Sequence, residues 1–357
     1  MTHTVLVTGV SRHIGARLAS MLAADPEITR VIGVDTVPPP SYELGGTEFV
    51  RVDLRSPDIA QVIAAADIDT VVHMSLVSAP SKGAGRSSMK EHNVIGTMQL
   101  LAACQRSETV SRVVVRSTTA VYGSSPHDPA MFTEDAEPHE PPVHGYAKDA
   151  CEVEGYVRGF ARRRPDVTVT TLRFANFMGP GVDSPITRYF LQPVLPTVFG
   201  FDPRLQFVHE DDAIEVLRRM AMEDHKGTFN VAGDGVMLLS QCVRRAGRPT
   251  IPVPSPAFRV LGELARSVGL MEYSPEQLAL MSYGRAVDTS RVSAELDWKP
   301  KFSTAAAFDD FLRSHGLTDG LPVRTFDWLS GLGVGRGAGR PGGKAGSKAG
   351  SRAGGRR

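Results

Sequence analysis

Three side chains that can carry protons lie within the five-residue segment HGYAK: His144, Tyr146 and Lys148. Enzymes use histidine, tyrosine and lysine to take a proton from an alcohol or to return it. Residues four apart share one face of a helix, whereas residues two apart point about 200° away from each other. His144 and Lys148 could therefore act on one substrate, while Tyr146 is predicted to be a packing residue. A neutral imidazole accepts a proton near neutral pH, and a nearby ammonium keeps it neutral.

The same segment has a second interpretation. His144 follows the segment PPV, and a histidine there can fill the start of a helix without taking part in any reaction. The residues alone leave open whether this is an active site with histidine as its base or a site that has lost its activity.

Short apolar runs alternate with helical patterns from residue 4 to residue 115. The runs TVLVTG, RVIGVD, DTVVHMS and RVVVRSTT are rich in β-branched residues, and the segments between them have helical periodicity. Continuous β-branched runs separated by helices indicate a parallel sheet that is covered on both faces. The sequence therefore predicts an α/β fold with a doubly wound parallel sheet, a Rossmann domain for a dinucleotide, in residues 1–178.

The composition changes after Gly179. Residues 179–330 begin with a Pro- and Gly-rich segment and continue with amphipathic segments such as DDAIEVLRRMAME, SPAFRVLGELARSVGL and TAAAFDDFLRSHG. This pattern predicts a smaller, mostly helical substrate lobe that is interleaved with the end of the sheet. Residues 331–357 are a Gly-, Ala-, Arg- and Lys-rich repeat that cannot form a core, so we expect a disordered basic tail there.

The formal net charge of +1 is unevenly distributed. The tail carries seven basic residues and no acidic one, so it suits an anionic partner, whereas the mildly acidic remainder gives no reason to expect nucleic-acid binding. Three widely spaced cysteines without a CxxC pair indicate a reducing compartment and argue against a zinc site. Because the sequence lacks a long apolar run and a signal-peptide pattern, we expect a cytoplasmic protein without a membrane span.

A nucleotide site is predicted where the first strand meets the first helix. The segment LVTGVSRHIGARLA has Gly9 and Gly15 in this turn, and glycines there let the backbone approach a pyrophosphate at the helix N-terminus. Asp35 ends the next strand, where a carboxylate binds the adenosine ribose and repels a 2′-phosphate, which favours NAD over NADP. Asp53, beside Leu54, ends a further strand and could face the adenine. The alternative is that the glycines only allow tight strand–helix packing.

The order of these segments resembles the extended short-chain dehydrogenases/reductases, the NAD-dependent epimerase/dehydratase group, whose best-known members are UDP-glucose 4-epimerases. The matching segments run over most of the chain and include VTGVSRHIG, VVHMS, NVIGTMQLL, RSTTAVYG, GYAK, LRFANFMGPG, LQFVHEDDA and DTSRVSAELDWKP. The resemblance implies NAD as the cofactor and a nucleotide sugar as the substrate.

The resemblance also implies a catalytic set. In that family a tyrosine takes a proton from a sugar hydroxyl while NAD takes the hydride, a Ser or Thr assists, and a lysine four residues after the tyrosine holds the nicotinamide ribose. On this chain the hydroxyl falls on Thr118 and the lysine on Lys148, which would also bind the cofactor. The tyrosine position is occupied by His144.

The cofactor turn and the substrate positions depart from the family pattern. The family's middle glycine falls on Arg12 or, in the spacing of the single-domain branch, on His13, next to Ile14. A guanidinium such as that of Arg12 could contact a phosphate oxygen directly. Asn176 in RFANFMGPG matches the asparagine that contacts the substrate's diphosphate. The substrate-binding arginine of the family is displaced by one position, to Arg204.

Three functions are compatible with these residues. The first is an NAD-dependent sugar-nucleotide epimerase or dehydratase with His144 or a water as base. The second is a dinucleotide-binding sensor or scaffold without catalysis, recruited through its tail, and the third is an NAD(P)-dependent dehydrogenase of a hydroxysteroid-like or other alcohol. The resemblance permits a homodimer through the helix that carries Lys148 and the helix that precedes it. The acidic EDD segment reads as the start of a helix, so no metal site is predicted.

Overall fold

The computed structural model describes residues 3–39, 44–78, 85–254 and 275–317. The strands in these residues are short, as expected for segments buried on both faces. In chain order they are β1 (His3–Thr8), β2 (Ile28–Asp35), β3 (Glu48–Arg51), β4 (Thr70–His73), β5 (Arg112–Thr118), β6 (Thr168–Phe174), β7 (Asn176–Met178), β8 (Leu195–Val198), β9 (Arg204–Leu205), β10 (Phe207–His209), β11 (Gly227–Val231), β12 (Met237–Leu238) and β13 (Thr250–Val253).

The helices alternate with the strands of the first half and dominate the second half. A π-helical turn (Glu91–Ile95) joins α3 to α4, and a 3-10 turn (Thr119–Tyr122) follows β5. The α-helices are α1 (His13–Ala23), α2 (Ile59–Ala65), α3 (Arg86–Lys90), α4 (Gly96–Arg106), α5 (Gly145–Arg163), α6 (Pro185–Phe190), α7 (Glu210–Met222), α8 (Leu239–Ala246), α9 (Pro275–Tyr283), α10 (Ser290–Leu296) and α11 (Thr304–Ser314).

The central sheet has seven parallel strands in the order β11-β6-β5-β4-β1-β2-β3. Successive side chains of a strand point to opposite faces, so each strand supplies two cores. On β4, for example, Val71 belongs to a first core with residues of α2, α4 and α5, and Val72 to a second core with residues of α1, α7 and α10. The predicted doubly wound parallel sheet is confirmed.

The second half of the chain builds a third core beside the sheet. Three two-stranded pairs (β7 with β10, β8 with β13, and β9 with β12) pack there with residues of α6, α8, α9 and α11. The edge strand β11 comes from this half but pairs with β6 of the central sheet. The C-terminal half is therefore helical and linked to the sheet through β11. The boundary at residue 178 between the two predicted domains stays a prediction.

Two further predictions fall outside the described residues. These are the amphipathic helix over residues 255–270 and the basic tail over residues 331–357. Within the described ranges, none of the helices has the length and apolar character needed to cross a bilayer.

Candidate active site

At two positions of the turn between β1 and α1, Gly9 and Gly15, there is no room for a side chain. Gly9 has a φ of +78°, in the left-handed region that favours glycine, and a Cβ there would lie 3.1 Å from the backbone of Met74 and Ser75. A Cβ on Gly15 would overlap the carbonyl oxygen of Gly9. Ile14 is partly buried against the second core. The glycines thus allow tight strand–helix packing and also leave the backbone of the turn open to a bound group.

Asp35 ends β2 beside a cleft of about 240 Å³. Its Oδ2 accepts hydrogen bonds from the backbone nitrogen of Ser11 at 3.0 Å and from the Ser11 hydroxyl at 2.6 Å, and its Oδ1 accepts one from the Thr36 nitrogen at 2.7 Å. These bonds fix the carboxylate, and its oxygens have further lone pairs for the hydroxyls of a ribose. Gly9, Arg12, Ser75 and His92 are among the other residues that line the cleft.

Arg12 and His13, which stand in place of a glycine, face different partners. Arg12 is the N-cap of α1 and keeps solvent access in the cleft. The surrounding protein and the neighbouring Arg116 lower the pKa of Arg12, against the opposing effect of Asp35. The Nε2 atom of His13 lies 3.1 Å from Oε2 of the buried Glu210. Arg12 can therefore meet a phosphate, whereas His13 ties α1 to α7.

Asp53 and Leu54, the other predicted cofactor contacts, follow β3. Arg55 donates to both carboxylate oxygens of Asp53 at 2.6–3.1 Å, and these hydrogen bonds lower the pKa of Asp53. Leu54 is buried next to Gly96. Arg55 and His92 line the cleft, and sequence reasoning missed both. His92 lies in the π-helical turn, an irregularity frequent at functional sites but not readable from the sequence.

Thr118 and Tyr146 meet at the end of β5. The Thr118 hydroxyl accepts a hydrogen bond from the backbone nitrogen of Ala120 at 3.1 Å, and the Tyr146 side chain lies beside Thr118. Tyr146 also packs against the first core, as the sequence predicted. Burial raises the pKa of Tyr146, whereas Arg116 and the neighbouring Thr118 act to lower it. The tyrosine therefore combines a packing role with a position beside the predicted hydroxyl residue.

His144 and Lys148 lie on the outside of the first turn of α5. His144 is the exposed N-cap of that helix, and its side chain makes no capping hydrogen bond. Lys148 is also exposed, with its Nζ 4.0 Å from Oε1 of Glu152. The residue four after Tyr146 is Ala150, which is fully buried. In the register of Tyr146, the family's lysine position thus carries an alanine.

The start of α5 is held by a carboxylate from a distant part of the chain. Glu276 of α9 accepts hydrogen bonds from the backbone nitrogens of Tyr146 and Ala147, the latter at 3.2 Å. Burial raises the pKa of Glu276, and these backbone bonds and Arg86 oppose that rise. A Cβ on Gly145, whose φ is +68°, would overlap the Glu276 carboxylate. Glu276 therefore satisfies the free N–H groups of the turn that presents Tyr146.

A buried ion pair fixes the same helix to the sheet. Glu154 of α5 accepts a hydrogen bond from the Ser117 hydroxyl at 2.6 Å and pairs with Arg173 of β6 at 2.7 Å. Ser117 directly precedes Thr118 on β5, so these bonds set the distance between Thr118 and the helix of Tyr146.

The predicted substrate residues lie on the strands beside the third core. Asn176 is partly buried at the start of β7, and Arg204 is exposed on β9. The carbonyl oxygen of Arg204 accepts a hydrogen bond from the Arg285 nitrogen at 3.0 Å. In the EDD segment, Asp212 accepts bonds from the backbone nitrogens of Lys301 and Phe302 at 2.9 and 3.0 Å, which makes this carboxylate part of the scaffold.

The parallel sheet, the glycine turn and the carboxylate at the end of β2 define a Rossmann-type dinucleotide-binding protein. The sequence profile of the NAD dependent epimerase/dehydratase family matches residues 5–232. This match covers more than half of the chain, and the chain therefore belongs to that family, whose cofactor is NAD.

One sequence relative and two solved structures are similar to this chain. An uncharacterized protein of Mycobacterium tuberculosis is 49% identical over 330 residues, which are 91% of this chain and 87% of that protein. A dTDP-glucose 4,6-dehydratase from Bacillus anthracis in complex with NAD has a TM-score of 0.68 at 17% identity, covering 89% of this chain and 98% of its own. MoeE5 in complex with UDP-glucuronic acid and NAD has a TM-score of 0.69 at 22% identity, covering 88% and 99%. The two solved structures share the fold.

Proposed function

We propose that this protein is a nucleotide-sugar epimerase or dehydratase that uses Tyr146 for proton transfer. The observation that carries the proposal is that the Tyr146 side chain lies beside Thr118 at the carboxyl end of β5. Ligands of open α/β sheets bind at this edge, outside the carboxyl ends of the strands. The complexes of the structural neighbours with NAD and a UDP-sugar support the substrate class.

The residues of the cleft fit NAD. Gly9 and Gly15 have no room for a side chain, so the backbone of the turn can approach a pyrophosphate, and Arg12 can meet the phosphate charge. Asp35 is fixed by Ser11 and keeps lone pairs for a ribose. When bound, NAD supplies a reversible hydride acceptor for the carbon that bears the reacting hydroxyl.

The proton of the reacting hydroxyl then has a defined acceptor in the chain. The Tyr146 oxygen takes that proton and returns it later, while the Thr118 hydroxyl orients both oxygens. His144 was the sequence-based candidate for this role, and Lys148 for the cofactor ribose. We assign both to the outer surface of α5, because His144 is exposed and Lys148 pairs with Glu152.

The substrate's remaining contacts are proposed from the family resemblance. Asn176 would bind the diphosphate and Arg204 the nucleotide, since both belong to the strands after β6. We also keep three sequence-based proposals: a cytoplasmic location, a homodimer through α5, and an anionic partner for the basic tail.

Asp35→Asn is expected to weaken NAD binding about tenfold and to strengthen NADP binding by a similar factor. It removes a negative charge that accepts hydrogen bonds from the ribose hydroxyls of NAD and repels the 2′-phosphate of NADP. Dissociation constants for both dinucleotides, measured by fluorescence titration, check this. Glu48→Gln, which removes an exposed carboxylate paired with Arg30, is the matched control and should leave both constants unchanged. An unaltered ratio of the two constants in Asp35→Asn would contradict the assignment.

The first test of the proposed function is to denature the purified protein and identify any released nucleotide by mass spectrometry. An enzyme that regenerates its cofactor in each cycle can keep NAD bound during purification, so denaturation should release NAD. The protein is then incubated with UDP-glucose, UDP-glucuronic acid and dTDP-glucose, and products are separated by chromatography. A changed sugar without accumulation of NADH is the expected result.

Other outcomes favour the other two functions. Net NADH formation with an alcohol substrate would identify a dehydrogenase. Bound NAD without turnover of any nucleotide sugar would favour a sensor or scaffold. If neither NAD nor NADP binds on titration, both the epimerase and the dehydrogenase proposals are excluded.

A further inference from the structure

Tyr146 lacks the lysine that accompanies the catalytic tyrosine in the resembled family. The position four residues later carries Ala150, and Lys148 is exposed beside Glu152. A phenol that gives up its proton in a partly buried site needs a positive charge nearby, because burial disfavours the charged form. If Tyr146 transfers protons, another residue has to supply this charge.

Arg116 lies on β5 on the same face as Thr118, close to Tyr146. It is two residues before Thr118 on β5, and residues two apart on a strand point to the same face, about 7 Å from each other. Thr118 is the strand residue beside the Tyr146 side chain. The guanidinium of Arg116 therefore emerges beside the Thr118–Tyr146 pair.

The guanidinium is also held firmly. One of its terminal nitrogens donates to the carbonyl oxygen of Leu76 at 2.8 Å, and its charged carbon lies 5.0 Å from the ring centre of Phe177. Its Nε is buried without a hydrogen-bond partner among the described residues. No carboxylate in the described part of the chain forms a salt bridge with Arg116, so its charge is not neutralised by a direct partner.

We propose that Arg116 is the positioning residue of this active site, where it supplies, beside Tyr146, the positive charge that the family's lysine provides elsewhere. The inference rests on the proposed function, because it matters for catalysis only if Tyr146 transfers protons. It arises from the alanine at position 150 and the arginine at position 116.

Other charged groups also surround Tyr146 and define the competing explanation. Glu276 of α9 acts to raise the pKa of Tyr146, whereas Arg116 and Arg285 act to lower it. Arg12, from the cofactor turn, also interacts with Tyr146. Arg285 donates to the carbonyl oxygen of Gly123 at 2.7 Å, so it is committed to the loop after β5.

The test compares Arg116→Met, Arg116→Lys and Arg285→Met in the full chain saturated with NAD. Ultraviolet titration of tyrosinate, with the signal of the Tyr146→Phe protein subtracted, isolates Tyr146 from the other six of the seven tyrosines of the chain. Arg116→Met should move this titration to higher pH, Arg116→Lys should move it less, and Arg285→Met should have the smallest effect. Arg30→Met, which removes an exposed cation paired with Glu48, should leave the titration unchanged.

The kinetic counterpart is the pH profile of kcat. Arg116→Met should lower kcat near neutral pH at least about tenfold and recover part of the loss in alkali, because the tyrosine then loses its proton only at higher pH. A loss of rate with an unshifted pH profile would indicate a merely structural role and overturn the proposal. A larger shift in Arg285→Met than in Arg116→Met would overturn it as well.

The titration separates this inference from the proposed function. If no nucleotide sugar is turned over, the proposed function fails, yet the effect of Arg116 on Tyr146 can still be measured. If turnover is found but neither Arg116 variant shifts the titration, the proposed function stands and the role of Arg116 is refuted. The Arg116→Lys protein keeps the positive charge. If Arg116→Met does not fold, the smaller shift expected of the Arg116→Lys titration is the quantity that tests the proposal.

Discussion

Tyr146→Phe is expected to lower kcat about 10²- to 10⁴-fold while NAD binding stays within about twofold of the original protein. The substitution removes one oxygen, the atom that lies beside Thr118, and keeps the ring that packs against the first core. Proton transfer should therefore be lost and the fold retained. The measurement is the single-turnover rate with the nucleotide sugar that the original protein converts, together with an NAD titration.

His144→Gln is the control for this prediction. The side chain is exposed at the N-cap of α5 and makes no capping bond there, so its replacement should change kcat less than about threefold. The opposite pattern, a large loss in His144→Gln and a normal rate in Tyr146→Phe, would restore the histidine as the base. Equal losses in both proteins would show that neither side chain acts alone.

The sheet was predictable because its signals are local. Most of its strands are rich in β-branched residues, helical patterns lie between most of them, and Asp35 ends β2 at the distance that a dinucleotide site requires. The glycine turn has a local signal too, since Gly9 and Gly15 lie close together in sequence and in space. These features can be recognised from short segments of the sequence.

The arrangement around Tyr146 was not predictable in the same way. Spacing from Lys148 and Glu152 aligned His144 with the family's tyrosine, but the rotation of a helix is set by what it packs against. Here the first turn of α5 is held by Glu276, 129 residues from Ala147, and its middle by the pair of Glu154 with Arg173. Such long-range partners leave no periodic signal in the sequence.

Arg116 was overlooked although its segment, RSTTAVYG, is part of the family resemblance. A signal was present, because alternation along a strand puts residues 116 and 118 on one face. The signal gains its meaning only once Tyr146 is known to contact Thr118, since an arginine on a strand otherwise has many uses. If Arg116 supplies the charge proposed for it, the alanine at position 150 and the arginine at position 116 are two aspects of one arrangement.

Acid should destabilise this protein through His73, a buried residue at the end of β4. Its Nε2 lies 2.8 Å from the Thr97 hydroxyl, which donates its own proton to the carbonyl oxygen of Asn93. Nε2 must therefore carry the hydrogen, and Nδ1 accepts one from the Thr8 hydroxyl at 2.8 Å. The neutral ring is fully satisfied, and burial, with His92 and Arg116 nearby, lowers the pKa of His73 to about 3.

The direction in which pH changes the free energy of unfolding follows from the protonation of His73 in the folded and unfolded states. An unfolded histidine has a pKa near 6.5, so between about pH 6.5 and about pH 3 the unfolded chain binds a proton that the folded chain does not. The free energy of unfolding is therefore unaffected by His73 above this window and falls as the pH decreases through it. By about pH 5 the loss from this one residue should be about 2 kcal/mol.

His73→Gln removes the titrating group and should flatten this part of the pH dependence. Urea unfolding at a fixed NAD concentration, repeated from neutral pH to about pH 5, gives the free energy at each pH. The variant should be less stable than the original protein at neutral pH, because one hydrogen bond of the Thr8–His73–Thr97 chain is lost, and the difference should shrink as the pH falls. A difference that stays constant with pH would contradict the neutral, buried imidazole.

His225→Gln provides a control of opposite sign. Burial acts to lower the pKa of His225, but hydrogen bonds to Glu295 and Glu223 outweigh it and raise that pKa. A group with a raised pKa stabilises the fold at low pH, and this contribution disappears as the pH rises through the folded value. Removing His225 should therefore destabilise the protein more in acid than at neutral pH. His73 and His225 therefore give the free energy of unfolding opposite dependences on pH. His73 is surrounded by hydroxyls and apolar groups, whereas His225 is surrounded by carboxylates.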